Sequence, residues 1–290
     1  MMAVSANQVK ELREKTGAGM MDCKKALEEA NGDFEKAVEL LRKKGASVAA
    51  KRAERTANEG IVLTRVYNDG KTGAILEVNC ETDFVAKSDD FVNFTNFVMD
   101  IVVNNKPADV SSLMEITKDG KKIVDELNAI IGKIGEKIEV SRFAIDNTAN
   151  GEIVDYVHAG SKLGVLIEAE NVPSDKTNAF EPVLKDIAMQ VAAMRPLSIY
   201  RDEVDKTLIE KEVEIYKELA RKEGKAEQIL EKIALGKLNK FYEENCLFEQ
   251  AFVKDNTKKI GGLIEEFNKA NSAQVKLIKF RRFHLSDEKK

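Results

Sequence analysis

Gly60 and Gly73 stand 13 residues apart, and each opens an apolar stretch. Gly151 and Gly164 repeat that spacing 91 positions later. The second stretch of the first copy reads Ala74-Ile75-Leu76-Glu77-Val78; its counterpart reads Val165-Leu166-Ile167-Glu168-Ala169, so that Glu77 falls on Glu168. Short apolar, β-branched runs behind glycines predict strands. A long helix follows each pair. The first spans residues 89–103, with Phe91, Phe94, Phe97 and Val98 at helical spacing, and the second spans roughly 182–194, opening at Pro182. Two strands and a helix, twice over, predict a duplicated α+β core, each half an antiparallel sheet with helices on one face.

Residues 4–45 read as three short helices. Ser5 and Gln8 form a capping-box pattern, and Val9 and Leu12 mark the first buried face. Met20, Cys23, Leu27 and Ala30 lie on one stripe of the second helix, so only one of Met20 and Met21 is expected to be exposed. Phe34, Ala37, Val38 and Leu41 line the third, and Gly45 is expected to stop it in a left-handed conformation. Residues 46–58, with Lys51, Arg52 and Arg55, read as a linker that is helical or extended. Between the repeats, Ile123, Leu127, Ile130, Ile131 and Ile134 make a helical stripe, and Gly135 suits its C-cap. Residues 204–220 and 226–241 form an amphipathic helical hairpin, with Gly224 at the turn. The predicted division is a three-helix domain at 1–45, a linker at 46–58, one core half at 59–149, a second at 150–200 and 241–284, and the inserted hairpin at 201–240.

Composition narrows the function. Charged residues make up 33% of the 290 and leave a net charge of −4, so a protein partner fits better than a phosphate backbone. Cys23, Cys80 and Cys246 are far apart and odd in number, which indicates neither a disulfide framework nor a zinc site. There are two histidines and no phosphate-cradling glycine loop. No convergent set of acid, base, nucleophile or metal ligands emerges, so no enzyme, cofactor or metal is indicated. No apolar run reaches the length of a membrane span and no secretory pattern opens the chain, which suits a cytoplasmic protein. Lys279-Phe280-Arg281-Arg282-Phe283 interleaves basic and aromatic residues; this suits either RNA or an edge strand protected by charge.

Residues 82–87 read as a short loop leaving a strand. Asp83 beside Phe84 is an odd pair for a solvated turn. On residues alone, Phe84 tucks into its own core and Asp83 caps the next helix. His158, one of two histidines, reads as a surface or hydrogen-bonded structural residue.

Asn79-Cys80-Glu81-Thr82-Asp83-Phe84-Val85-Ala86-Lys87 resembles the core signature of the elongation factor Ts family, guanine-nucleotide exchange factors for elongation factor Tu. Leu12-Arg13-Glu14-Lys15-Thr16-Gly17-Ala18-Gly19-Met20-Met21-Asp22-Cys23-Lys24-Lys25-Ala26-Leu27 resembles a second signature, and Lys133-Ile134-Gly135-Glu136 a third. The resemblance implies that the first domain is a ubiquitin-associated-type bundle. It implies that Thr82, Asp83, Phe84 and Val85 dislodge Mg²⁺ in the partner. It also implies that Arg13, Met20, Met21, Lys24, Ile134, Gly135 and His158 contact elongation factor Tu, GDP-bound and nucleotide-free. It assigns the hairpin to homodimerisation or partner contact; the charge balance and the lack of a membrane-length apolar run argue against direct nucleic-acid or membrane partners. The alternative is a passive adaptor that binds without affecting nucleotide.

Overall fold

The computed structural model describes residues 4–287; the first three residues of the expected N-terminal domain lie outside this range. That domain holds α1 (Ala6–Thr16), α2 (Met20–Glu29) and α3 (Phe34–Arg52). Ser5 caps α1 with a complete capping box to Gln8, and Asp33 caps α3 through the Lys36 amide. Leu12, Cys23, Leu27 and Ala37 are fully buried between the helices.

Gly45 does not end the third helix, which runs on to Arg52 and absorbs the first half of the expected linker. The physical reason lies in the core, whose first half follows as β1 (Glu59–Tyr67), β2 (Thr72–Cys80), α4 (Asp83–Ala86), α5 (Asp89–Asn105), α6 (Val110–Glu115), the short pair β3 (Thr117–Lys118) and β4 (Lys121–Lys122), α7 (Ile123–Ile134) and β5 (Ile138–Asn147). A Cβ on Gly45 would sit 2.6 Å from the Asn128 carbonyl of α7, and one on Gly132 would sit 3.1 Å from the Gly45 Cα. Here glycine lets two helices approach closely instead of supplying a turn. Val48 and Ala49, beyond it on α3, pack onto the core.

The second half contains β6 (Gly151–Val157), β7 (Leu163–Glu170), α8 (Thr177–Met194), the hairpin α9 (Lys206–Lys222) and α10 (Glu227–Asn245), the short pair β8 (Ala251–Phe252) and β9 (Asp255–Lys259), α11 (Ile260–Asn271) and β10 (Lys276–His284). Helix α8 starts before Pro182, which lies in its second turn; fully buried Phe180 anchors the turn ahead of the proline.

Two antiparallel sheets, ordered β1-β2-β5 and β10-β7-β6, carry the duplication. Helices α5 and α7 cover one face of the first, and α8 and α11 cover one face of the second. The remaining faces meet, burying Val62 and Ile75 against Ile153 and Leu166. The central strands β2 and β7 are therefore buried on both faces, as their apolar runs predict. The repeat glycines explain themselves in pairs. A Cβ on Gly60 would sit 2.1 Å from the Val78 carbonyl, and one on Gly151 2.2 Å from that of Ala169. A Cβ on Gly73 would sit 2.7 Å from Ile153, and one on Gly164 2.7 Å from Val62. Backbone bonds between the halves match too: Val62 N–H donates to Ser161 and Ile153 N–H to Gly70, each at 2.7 Å. Bulges interrupt the third strands at the equivalent places, after Glu77 and Glu168. The molecule is thus an α+β protein with pseudo-twofold halves. The basic, aromatic segment 279–283 lies on edge strand β10, where Lys279 and Arg281 pair with Asp146.

Candidate partner-binding surface

The chain leaves β2 at Cys80 and turns at once. Residues 83–86 form one helical turn, not an open loop, capped by the Thr82 hydroxyl, which accepts from the Val85 amide at 3.4 Å. Ala86 is buried and Val85 packs on the core. Phe84 is 82% exposed, so it does not tuck back into its own core. Nor does Asp83 cap the next helix: Ser88 caps α5 through the Phe91 amide. Asp83 instead faces Lys87 at 2.8 Å. That hydrogen bond, with help from the charges of Lys87 and Lys162, holds the Asp83 carboxyl below the usual carboxylate value.

The turn is held from below by two glutamates. Thr82 donates its N–H to Glu136 at 3.1 Å and its hydroxyl to the same carboxylate at 2.8 Å. Glu81 accepts the Lys137 N–H at 2.6 Å, and Arg52 and Arg55 approach it at 3.5 and 3.1 Å. Burial is the largest single influence on Glu81 and raises its pKa. The Lys137 amide and the two arginines together outweigh it and hold the carboxyl below its ordinary value. Buried Cys80 donates its thiol hydrogen to the Thr82 carbonyl at 3.2 Å. Burial, reinforced by Glu136, pushes that thiol up to about 12, so it stays protonated and unreactive.

Ile134 and Gly135 end α7 directly before Glu136. Gly135 adopts φ 82° there, a left-handed conformation that costs glycine little. Segments 134–136 and 82–85 therefore share one site. Met20 and Met21 start α2 and are both exposed, at 57% and 61%, where one was expected to be buried. Cys23, the next residue along the stripe, fills the bundle core instead: it is fully buried, its thiol 3.6 Å from the Ala18 carbonyl. Arg13 and Lys24 are exposed on the same small domain. His158 is exposed at the β6–β7 turn, with Nδ1 2.9 Å from the Tyr156 hydroxyl. That turn lies at the same end of the sheets as Phe84, since Lys162 pairs with Glu59 at the start of β1 and its charge reaches Asp83.

Sequence reasoning missed Glu81 and Glu136 as site residues, although both stand inside the quoted motifs. Among the described residues, no group of three or more His, Cys, Asp or Glu side chains is placed to hold a metal ion. No helix there is long and apolar enough to cross a membrane.

A family model described as Elongation factor TS matches residues 81–287. The Elongation factor Ts of Chlorobaculum parvum is 46% identical over 289 residues, covering 98% of this chain and 99% of its own. That of Clostridium perfringens is 47% identical over 285 residues, covering 98% and 93%. Matches of this length and identity run through bundle and core alike, and the chain belongs to the elongation factor Ts family of translation elongation factors.

Proposed function

We propose that the chain is a guanine-nucleotide exchange factor that binds GDP-bound elongation factor Tu and accelerates GDP release. The observation that carries this is Phe84: a large apolar side chain, 82% exposed, at the apex of a turn braced on both sides. An exposed aromatic on a braced turn suits insertion into a partner. A GTPase holds nucleotide through backbone amides at a glycine-rich loop and through Mg²⁺. Mg²⁺ demands near-ideal octahedral geometry, so a displacement of about an ångström in its surroundings weakens it strongly. In this reading Phe84 is the wedge and Asp83 the polar competitor, with Thr82 and Val85 shaping the turn. Arg13, Met20, Met21, Lys24, Ile134, Gly135 and His158 supply docking contacts. The chain catalyses no covalent chemistry. Coupling is reciprocal, so nucleotide weakens factor binding as much as factor weakens nucleotide binding.

We further infer a division of labour. Residues 4–52 dock, the duplicated core presents the wedge, and the α9–α10 hairpin joins a second copy or the partner through its outward Ile215, Leu219, Ile229 and Leu235. The setting is the cytoplasm, where translation takes place.

The test is release of labelled GDP from elongation factor Tu with and without this chain. Acceleration is expected. Binding with no change in release rate would favour the passive adaptor.

A further inference from the structure

We propose that Glu81 and Glu136 form a reciprocal clasp that orients the Phe84 turn, with Glu136 as a positioning residue for exchange. The inference rests on the proposed role of Phe84, and the experiment below lets the two fail separately.

A single helical turn of four residues has no stability of its own, because nucleation costs more than one turn of bonds returns. Something outside residues 83–86 must hold it. Val85 and Ala86 anchor its far end in the core. Its near end is held by two bonds running in opposite directions between two short segments. Glu136 takes the amide of Thr82, the residue after Glu81. Glu81 takes the amide of Lys137, the residue after Glu136. Each glutamate thus satisfies the backbone donor that follows the other, across 54 and 56 positions of sequence. Bonds to an ionised carboxylate are roughly twice as strong as neutral ones. The Thr82 hydroxyl adds a third bond to Glu136, and it also caps the turn at Val85. The carboxylate therefore sets the rotamer of the very side chain that starts the turn.

Two further features fit a clasp. Gly135 turns the chain in the left-handed region, which delivers Glu136 from the end of α7 toward Thr82. Arg52 and Arg55 sit on Glu81, so the two neighbouring carboxylates do not face each other uncompensated. Those arginines belong to the end of α3 and the residues just after it. The clasp therefore joins the bundle, segment 134–137 and the Phe84 turn into one unit. Without it, Phe84 remains exposed but samples many directions, and insertion must first order it.

The experiment uses the full chain carrying Glu136→Ala, Glu136→Gln, Phe84→Ala, or Phe84→Ala with Glu136→Ala. Three quantities are measured: GDP release from elongation factor Tu at saturating factor, the ¹⁵N heteronuclear NOE of residues 82–85 in the free chain, and the thermal melt. Glu136→Ala is expected to slow release about fivefold and to lower the NOE while the melt stays cooperative. Glu136→Gln recovers most of both, because its amide accepts from the Thr82 N–H and donates to the hydroxyl. The double variant is expected to fall within about twofold of Phe84→Ala alone, since Glu136 acts through Phe84. If Glu136→Ala does not fold, Glu136→Asp keeps the charge and the Thr82 cap on Val85 but shortens the reach to Thr82, and it is read in the same way. Slow release by Phe84→Ala with native release and NOE in Glu136→Ala overturns the clasp and leaves the exchange reading intact. Multiplicative losses in the double variant overturn positioning in favour of direct contact. Native release by Phe84→Ala removes the wedge, and an unchanged NOE then overturns the clasp as well.

Discussion

Thr64 donates its hydroxyl hydrogen to Asp155 at 2.6 Å, and the two residues are 91 positions apart. That is the offset relating Gly60 to Gly151 and Gly73 to Gly164. A residue bonded to its own counterpart marks the pseudo-twofold axis between the sheets. The two halves are therefore not beads on a chain; each completes the core of the other.

Gly73→Ala and Gly164→Ala are expected to destabilise by similar amounts, ~1–3 kcal/mol each, because each new methyl meets a buried branched side chain. Ile153→Ala should reduce the cost of Gly73→Ala but not that of Gly164→Ala, and Val62→Ala should do the reverse. Denaturant melts of the two double-mutant cycles check this. Equal relief by either background would contradict the paired packing.

Phe84→Ala should leave thermal stability nearly unchanged, since the ring is exposed, while the loss of transition-state contact with the partner reaches ~2–4 kcal/mol. Asp83→Ala should give the smaller defect, because a carboxylate near phosphates is repelled until Mg²⁺ has moved. Both variants should still bind nucleotide-free partner. The check is a melt and a GDP-release assay on the same preparation. A lowered melt with normal release per folded molecule would refute the wedge.

Gly45→Leu should force α3 off α7, lowering stability by ~1–3 kcal/mol and raising the radius of gyration measured by small-angle scattering. Gly236, in the interior of α10, has nothing within 4 Å of its Cβ position. Gly236→Ala should therefore stabilise by about 1 kcal/mol through helix propensity alone. Opposite signs at two helical glycines separate close approach from propensity.

Glu152 is 4% exposed, and one of its carboxylate oxygens has no partner. Burial, reinforced by Glu181 and opposed by Lys71 and Lys185, pushes its carboxyl up to about 7. Between the ordinary value of 4.5 and about 7, the folded chain keeps a proton that the unfolded chain has lost. Stability therefore falls as pH rises through that window and levels above it. Glu152→Gln removes the ionisation, so it should be more stable than the native chain at pH ~8 by ~1–3 kcal/mol, with the gap closing by pH ~5. Urea melts at the two values test the sign.

The sequence by itself determined most of the local structure. Regularly spaced glycines and branched runs specified the strands, three-and-four spacing specified the helices, and Ser5 and Gly135 marked helix ends. These features depend on neighbours within a few residues, and the 91-residue offset exposed the duplication without any structure. Tertiary structure alone decided what depends on distant partners. A glycine that suits a helix stop on local grounds became a helix crossing at Gly45, because Asn128 lies against it. Met20, aligned with a buried stripe, stands exposed, and Cys23 rather than Met20 takes the place in the bundle core. Phe84 faces outward because a single helical turn presents only one side to the core, and Val85 and Ala86 occupy that side. Glu81 and Glu136 found each other's backbone amides across more than fifty residues, a match that periodicity cannot encode because it depends on where two chain segments happen to meet.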